Sequence, residues 1–395
     1  MEQTADFMKR HEKDMFELLR VLVDMRTGTD NKHGIDAMAA FLAEYLSARG
    51  LKTHIVEQQD AGNILVADVP CAEEAPRRIL LSGHMDTVFP ADSPFHRLSV
   101  EGDVARGPGT CDMKGGLVTG IFAMLALLEQ GCGASMPMRF LFSPDEEQSS
   151  RTMRAFLRKE AARAAFALVF EMAGPDGELV RTRKGKVAFS ARIRGRAGHA
   201  AFITKGKVSA LRDAARKIEL LEEMNTENVV GEDSLSVNVG RLEGGLAFNV
   251  VPEEARLDVE ARCNSLRQRD EVEAKMRSIL LTPQVEGTKT VIEREVFSPP
   301  LEASATEKLY ALAREAAQQA GQSVGEDFRP GCSEASFLAE AGIPVLDGLG
   351  PRGGCDHSTR EYLLLSSLRE RALLSALLLK KAWERGVSGP LRSGA

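Results

Sequence analysis

The chain has 395 residues, 43% of them hydrophobic and 27% charged, with a formal net charge of −6; at about 150 residues per domain this is enough for two or three globular cores. No dense Lys/Arg tract is present, which argues against a nucleic-acid partner, and the run Arg181-Thr182-Arg183-Lys184-Gly185-Lys186 reads as a solvated loop or the neighbourhood of a substrate carboxylate. The start, Met1-Glu2-Gln3-Thr4-Ala5-Asp6, lacks the basic and apolar regions of a signal peptide, and the apolar stretch near 121–128 is too short for a bilayer, so a cytoplasmic chain without a membrane partner is expected.

Apolar residues at helical spacing predict helices over 11–26 (Phe16, Leu19, Leu22, Val23) and 34–49 (Met38, Phe41, Leu42, Leu46), the second stopping at Gly50. Short apolar runs follow at Ile64-Leu65-Val66-Ala67, Ile79-Leu80-Leu81, Phe140-Leu141-Phe142, Ala167-Leu168-Val169-Phe170 and Pro344-Val345-Leu346, with helical segments near 115–130 and 149–162. Buried strands alternating with helices predict an α/β domain, its sheet covered by helices.

Between 185 and 297 the texture changes. Val187, Phe189, Ala191 and Ile193 alternate as a strand; a helix (208–224), strands near 235–242 and 255–262, a helix near 268–281 and a strand at 289–296 follow. This β-α-β-β-α-β order predicts a ferredoxin-like domain, 185–297, inserted into a first domain made of 1–184 and 298–395. Residues 386–395 read as a frayed tail. The six cysteines (71, 111, 132, 263, 332, 355) have no Cys-x-x-Cys spacing and are expected to be thiols.

Four segments, and a fifth near the C-terminus, place metal-ligand side chains at or just past the end of an apolar strand or its following loop. Ser82-Gly83-His84-Met85-Asp86 ends a strand at His84, with Asp86 close enough to bond its second ring nitrogen. Gly109-Thr110-Cys111-Asp112-Met113-Lys114-Gly115-Gly116 opens a helix, and its plainer reading is an N-cap aspartate. Asp145-Glu146-Glu147 puts three acids after a hydrophobic strand; solvated charge is the plain reading, and one metal ligand beside one general base is the sharper one. Glu171 ends Phe166-Ala167-Leu168-Val169-Phe170, and His357 follows in a glycine-rich loop ending at Glu361. Each is weak alone, but together they fit an α/β sheet that binds its ligand at the carboxyl ends of its strands.

These motifs resemble the aminoacylase/carboxypeptidase family of co-catalytic zinc hydrolases, most closely its bacterial glutamate carboxypeptidases, over nearly the whole chain. The resemblance implies a zinc-exopeptidase α/β domain with a ferredoxin-like lid that also dimerises. It implies that His84 and Glu171 hold one Zn2+, that Glu147 and His357 hold another, and that Asp112 bridges them. Co2+ or Mn2+ would suit the same ligands. Glu146 is then the general base and Asp86 orients His84. His199 reaches an active site to stabilise the oxyanion, often that of the partner subunit, while Asn249 and Arg262 bind the substrate's carboxylate end. The implied activity is removal of a C-terminal amino acid from a small peptide or N-acyl conjugate, with an N-acyl-amino-acid deacylase as the alternative and a non-catalytic binding relative as a third reading. Gly331-Cys332-Ser333-Glu334-Ala335 departs from the family, many of whose members have a glycine-rich stretch with aspartate there.

Overall fold

The computed structural model describes residues 1–72, 75–202, 205–228, 231 and 233–389; the end of the expected frayed tail, 390–395, lies outside them. The described chain forms two compact units, one of Met1–Thr182, Glu302–Phe328 and Ser333–Ala395, the other of Arg183–Leu301 and Arg329–Cys332.

The first unit is built on a six-stranded mixed sheet. Its strands run in the order Lys52–Val56, Ile64–Asp68, Met138–Ser143, Arg78–His84, Ala164–Val169 and Val345–Leu346. The Arg78–His84 strand lies parallel to its neighbours on both sides, whereas the first two strands pair antiparallel. Every residue of Arg78–His84 and of Ala164–Val169 is buried. A parallel strand covered on both faces needs apolar side chains at successive positions, which is why these runs do not alternate. The strands at 52–56 and at 99–106 were not visible in the sequence pattern, because they are short and mostly exposed. The helix Glu2–Arg10 precedes the two helices expected at the N-terminus, which form as Glu12–Asp24 and Lys32–Ser47.

The helix Gly115–Glu129 buries residues on all sides. By length and composition Thr110–Glu129 is apolar enough to cross a membrane, yet 89% of its most hydrophobic window is buried inside the protein. An all-round apolar surface is what a helix at the centre of a core requires. Gly116 lets this helix begin directly against the central sheet: a Cβ there would fall 1.8 Å from the Phe170 carbonyl oxygen. That close approach brings the Asp112 turn beside the end of the strand that leads to Glu171.

The second unit has an antiparallel sheet in the order Ser236–Gly244, Glu254–Cys263, Gly185–Arg194, Lys289–Ser298. In chain order its elements run strand, helix, strand, strand, helix, strand, the helices being Ala210–Glu222 and Leu266–Leu281. Burial alternates strictly along Gly185–Arg194 up to its last residue. Val187, Phe189 and Ala191 face a core shared with Leu221, Val272 and Met276 of the helices. Ser209 and Ser265 cap the two helices by accepting the N–H of Arg212 and Gln268. Inside this unit the Lys217 ammonium and the Asp213 carboxylate, both fully buried, form an ion pair at 2.5 Å. Asp213 also accepts the N–H groups of Gln284 and Val285, so the pair ties the first helix to the turn before the last strand.

Candidate metal centre

His84, Asp86, Asp112, Glu146, Glu147, Glu171 and His357 all belong to the first unit, and the fold brings them together. His84 is the last residue of its strand and is 1% exposed. Its Nδ1 lies 3.0 Å from the Asp86 main-chain oxygen and 3.3 Å from the Asp86 carboxylate. The carbonyl is the closer acceptor, and the side-chain contact expected from spacing stands beside it. Either partner holds the proton on Nδ1 and leaves the Nε2 lone pair facing inward. That nitrogen lies 3.0 Å from Asp112 Oδ1 and 3.8 Å from Glu171 Oε1.

Asp112 is not a helix cap. The helix proper begins at Gly115 with Lys114 in the cap position and no side-chain cap, and Asp112 stands two residues before that cap on non-helical backbone (φ −122°, ψ 89°). Its other oxygen, Oδ2, lies 3.3 Å from His357 Nε2, which is itself 3.2 Å from Glu147 Oε2. Asp112 thus joins the His84 side of the cluster to the His357 side, one oxygen toward each.

Asp86 has a larger role than orienting one ring. Its buried carboxylate accepts the N–H of Glu146 at 3.1 Å, the N–H of Glu147 at 3.2 Å and the hydroxyl of Thr29 at 2.7 Å. One aspartate therefore holds both the His84 strand end and the short helical turn carrying the two glutamates. Asp145, the first acid of that triplet, is buried and accepts the Thr152 N–H at 2.7 Å. Of the three consecutive acids, it serves the chain turn while the next two face the cluster.

The donor set is that of a cation site. Ligand atoms of His84, Asp112 and Glu147 lie within 4.8 Å of one another, as do those of His84, Glu146 and Glu171, and those of Asp112, Asp356 and His357. Four carboxylates (Asp112, Glu146, Glu147, Glu171) meet two imidazoles, so negative charge exceeds positive within this set even with both rings protonated. The strain appears in the acidities. Burial and the charge of Glu171 push the Glu146 carboxyl well above its usual range. Burial opposes ionisation of Asp112 too, but hydrogen bonds with His357 and His84 outweigh it and keep this carboxylate ionised. Hydrogen bonds to Asp112 and Glu147 lift His357 to about 11. Carboxylate and imidazole ligands in this proportion suit a pair of divalent cations, which would supply the missing positive charge.

Two participants carried no local signal. Glu361 is 1% exposed; it accepts the N–H of Gly109 through Oε2 and those of Cys111 and Asp112 through Oε1. Glu334 is buried behind the strand end and accepts the Ser82 hydroxyl at 2.7 Å. In sequence both look like ordinary loop acids.

His199, Asn249 and Arg262 belong to the second unit. His199 and Asn249 are exposed neighbours: His199 forms a bridge with Val250, and Ala200 N–H donates to the Asn249 carbonyl at 2.9 Å. Arg262 is half-buried on the strand Glu254–Cys263, where its Nε donates to Glu260 at 3.1 Å.

Residues 80–381 match the sequence profile of Peptidase family M20/M25/M40. The chain is 28% identical to Carboxypeptidase G2 of Pseudomonas sp. (strain RS-16) over 381 residues, 92% of this chain and 88% of that protein. Its fold resembles aminopeptidase PepT of Bacillus cereus ATCC 10987, with a TM-score of 0.74 at 21% identity over 94% of this chain and 99% of the other. It also resembles the YXEP protein of Bacillus subtilis, described as a dinuclear metal-binding peptidase of the M20 family, with a TM-score of 0.64 at 16% identity over 94% and 98% of the two chains.

Proposed function

The chain belongs to Peptidase family M20/M25/M40 and is a metal-dependent hydrolase, and from that premise we propose that it removes a C-terminal amino acid from a small peptide or N-acyl conjugate. The observation that carries this reading is the convergence of His84, Asp112, Glu147, Glu171 and His357 around Glu146 in one unit. The likeness to Carboxypeptidase G2 across nine-tenths of the chain supports the carboxypeptidase direction.

In this reading His84 and Glu171 would hold one cation and Glu147 and His357 the other, with the Asp112 carboxylate available to both. The pair is zinc, with Co2+ and Mn2+ as substitutes. When bound, the cations supply a Lewis acid for the scissile carbonyl and lower the pKa of a water. Glu146 takes that water's proton and passes it to the leaving nitrogen. Asp86 fixes the main chain of Glu146, so the base cannot drift from the attacked carbon.

The second unit is read as a ferredoxin-like lid, supported by its strand–helix order. His199 donates to the oxyanion, and Asn249 and Arg262 take the substrate's free carboxylate, the guanidinium offering two parallel N–H groups. A homodimer through this unit and a cytoplasmic location complete the proposal.

The test is release of free amino acid by the zinc-loaded protein from N-acylglutamates, N-acetyl amino acids and dipeptides. Preference for N-acylglutamates supports a glutamate carboxypeptidase, and preference for N-acetyl amino acids a deacylase. Inactivity on every substrate with a free α-carboxylate overturns both.

A further inference from the structure

The turn that carries His357 brings a second acid to the same end of the cluster. Asp356 is exposed, and one of its carboxylate oxygens lies within 4.8 Å of both an Asp112 oxygen and a His357 ring nitrogen. The residues on either side of it, Cys355 and His357, adopt left-handed backbone at φ 58° and 56°. Non-glycine residues seldom take this conformation. With it, the turn presents adjacent side chains to one carboxylate, whereas an extended chain would send them to opposite sides.

The two ends of the cluster then differ in chemistry. On one side His84 and Glu171 join the shared Asp112, with Glu146 beside them as the base. On the other, His357 is likewise the one imidazole, but it meets three carboxylates, Glu147, Asp112 and Asp356, where His84 has Asp112 and Glu171 as ligands. With one imidazole at each end, a further carboxylate oxygen tilts its position toward harder, higher-coordinate ions such as Mn2+.

We propose that Asp356 is a cation ligand at the His357 end and makes that position the more manganese-tolerant of the two. This rests on the reading of the cluster as a two-cation centre. The inequality is built into the chain: one end has a buried imidazole, 1% exposed, and the other a half-exposed one, 54% at the side chain, with an acid beside it. The exposed end is the one where an ion exchanges with solvent.

The test compares the full chain with its Asp356→Asn and Asp356→Glu variants. Each is stripped with chelator, dialysed against equimolar Zn2+ and Mn2+, and its bound metal counted by mass spectrometry; affinities follow by calorimetry with each metal alone. Asp356 is exposed on a turn, so unchanged melting of the metal-free variants verifies folding. The native chain is expected to bind two ions and to carry more Mn2+ than Asp356→Asn, the excess sitting at the His357 end. Asp356→Asn should keep its tighter zinc position and lose about tenfold or more in Mn2+ affinity at the other, in the range found when groups supporting a metal site are removed. Asp356→Glu should recover part of the loss. Identical metal content and affinities in Asp356→Asn and the native chain overturn the proposal. A native chain that binds no pair of ions removes the centre itself, and is distinguished by its failure before any variant is compared.

Discussion

Glu361 accepts the main-chain N–H of Asp112 at 3.1 Å, and through the same oxygen that of Cys111 at 2.9 Å. Its second oxygen takes Gly109 N–H at 2.9 Å. The carboxylate of Asp112 therefore points at the two imidazoles because another carboxylate, 249 residues away in sequence, holds its main chain. Glu361→Ala should leave two buried donors and one half-buried donor without an acceptor and lower stability by about 2 kcal/mol or more, since each buried orphaned group costs ~1–3 kcal/mol. Calorimetric unfolding checks it. Metal affinity should fall along with stability, and unchanged affinity in a folded variant would remove the positioning role given to Glu361.

Replacing Glu146 by Gln keeps the side chain's volume and removes the proton acceptor. Turnover should drop by about 10²–10⁴-fold, the usual contribution of a positioned acid–base group. Both cations should remain bound, because Glu146 is not among the five assigned ligands. Steady-state kinetics with metal counting decides the matter; undiminished turnover at full metal content would displace Glu146 from its role.

Asp86→Asn tests a different property. Glu146 and Glu147 N–H bond to different oxygens of Asp86, and the amide must turn its NH2 group toward one of them, so it cannot serve both as the carboxylate does. Metal affinity is expected to weaken about 10–100-fold, with kcat falling too. A variant that lost kcat alone would place Asp86 in the chemistry rather than behind it.

Chelation should destabilise the first unit, because the excess of carboxylates is then unrelieved. Restoring metal to about a thousand times its dissociation constant should return about 4 kcal/mol of stability. The midpoint of thermal unfolding with and without chelator is the measurement, and an unchanged midpoint would mean the cluster holds no cation.

Burial pushes the Glu334 carboxyl up to about 7 against its hydrogen bond from Ser82. The sign follows from which state ionises first. Above the ordinary carboxyl pKa the unfolded chain loses this proton while the folded one keeps it. The folded state therefore loses ground from the ordinary value, 4.5, up to about 7, and no further beyond. Between about pH 5 and about pH 8 that cost grows by roughly 2.5 kcal/mol. Glu334→Gln, which cannot ionise, should flatten the pH dependence of stability by that amount. Denaturant titrations at the two pH values give the answer; parallel curves for both proteins would show that Glu334 ionises freely.

Much of the first unit could be read from the order of residues. Continuous apolar runs such as Ile79-Leu80-Leu81 mark strands covered on both faces, and the alternation from Val187 to Ile193 marks a strand covered on one. The short strands at 99–106 and 353–364 escaped notice because two or three residues form no period. In the candidate site, His84, Asp112, Glu147, Glu171 and His357 stood out because polar side chains at the ends of apolar runs are costly unless they have a partner. Their motif likeness supplied the grouping that spacing could not.

The sequence alone settled which chemical groups stand at the ends of the buried strands, because burial and chain periodicity are local and each residue type carries its own solvation cost. It could not settle that Glu361 grips the Asp112 turn, that Asp86 serves two strand ends at once, or that Asp356 stands beside Asp112. Those relationships join positions as much as 252 residues apart. They exist only once sheet register and the close approach at Gly116 have fixed where each loop ends, since a hydrogen bond or a shared cation demands placement to within a fraction of an ångström and no local pattern encodes that.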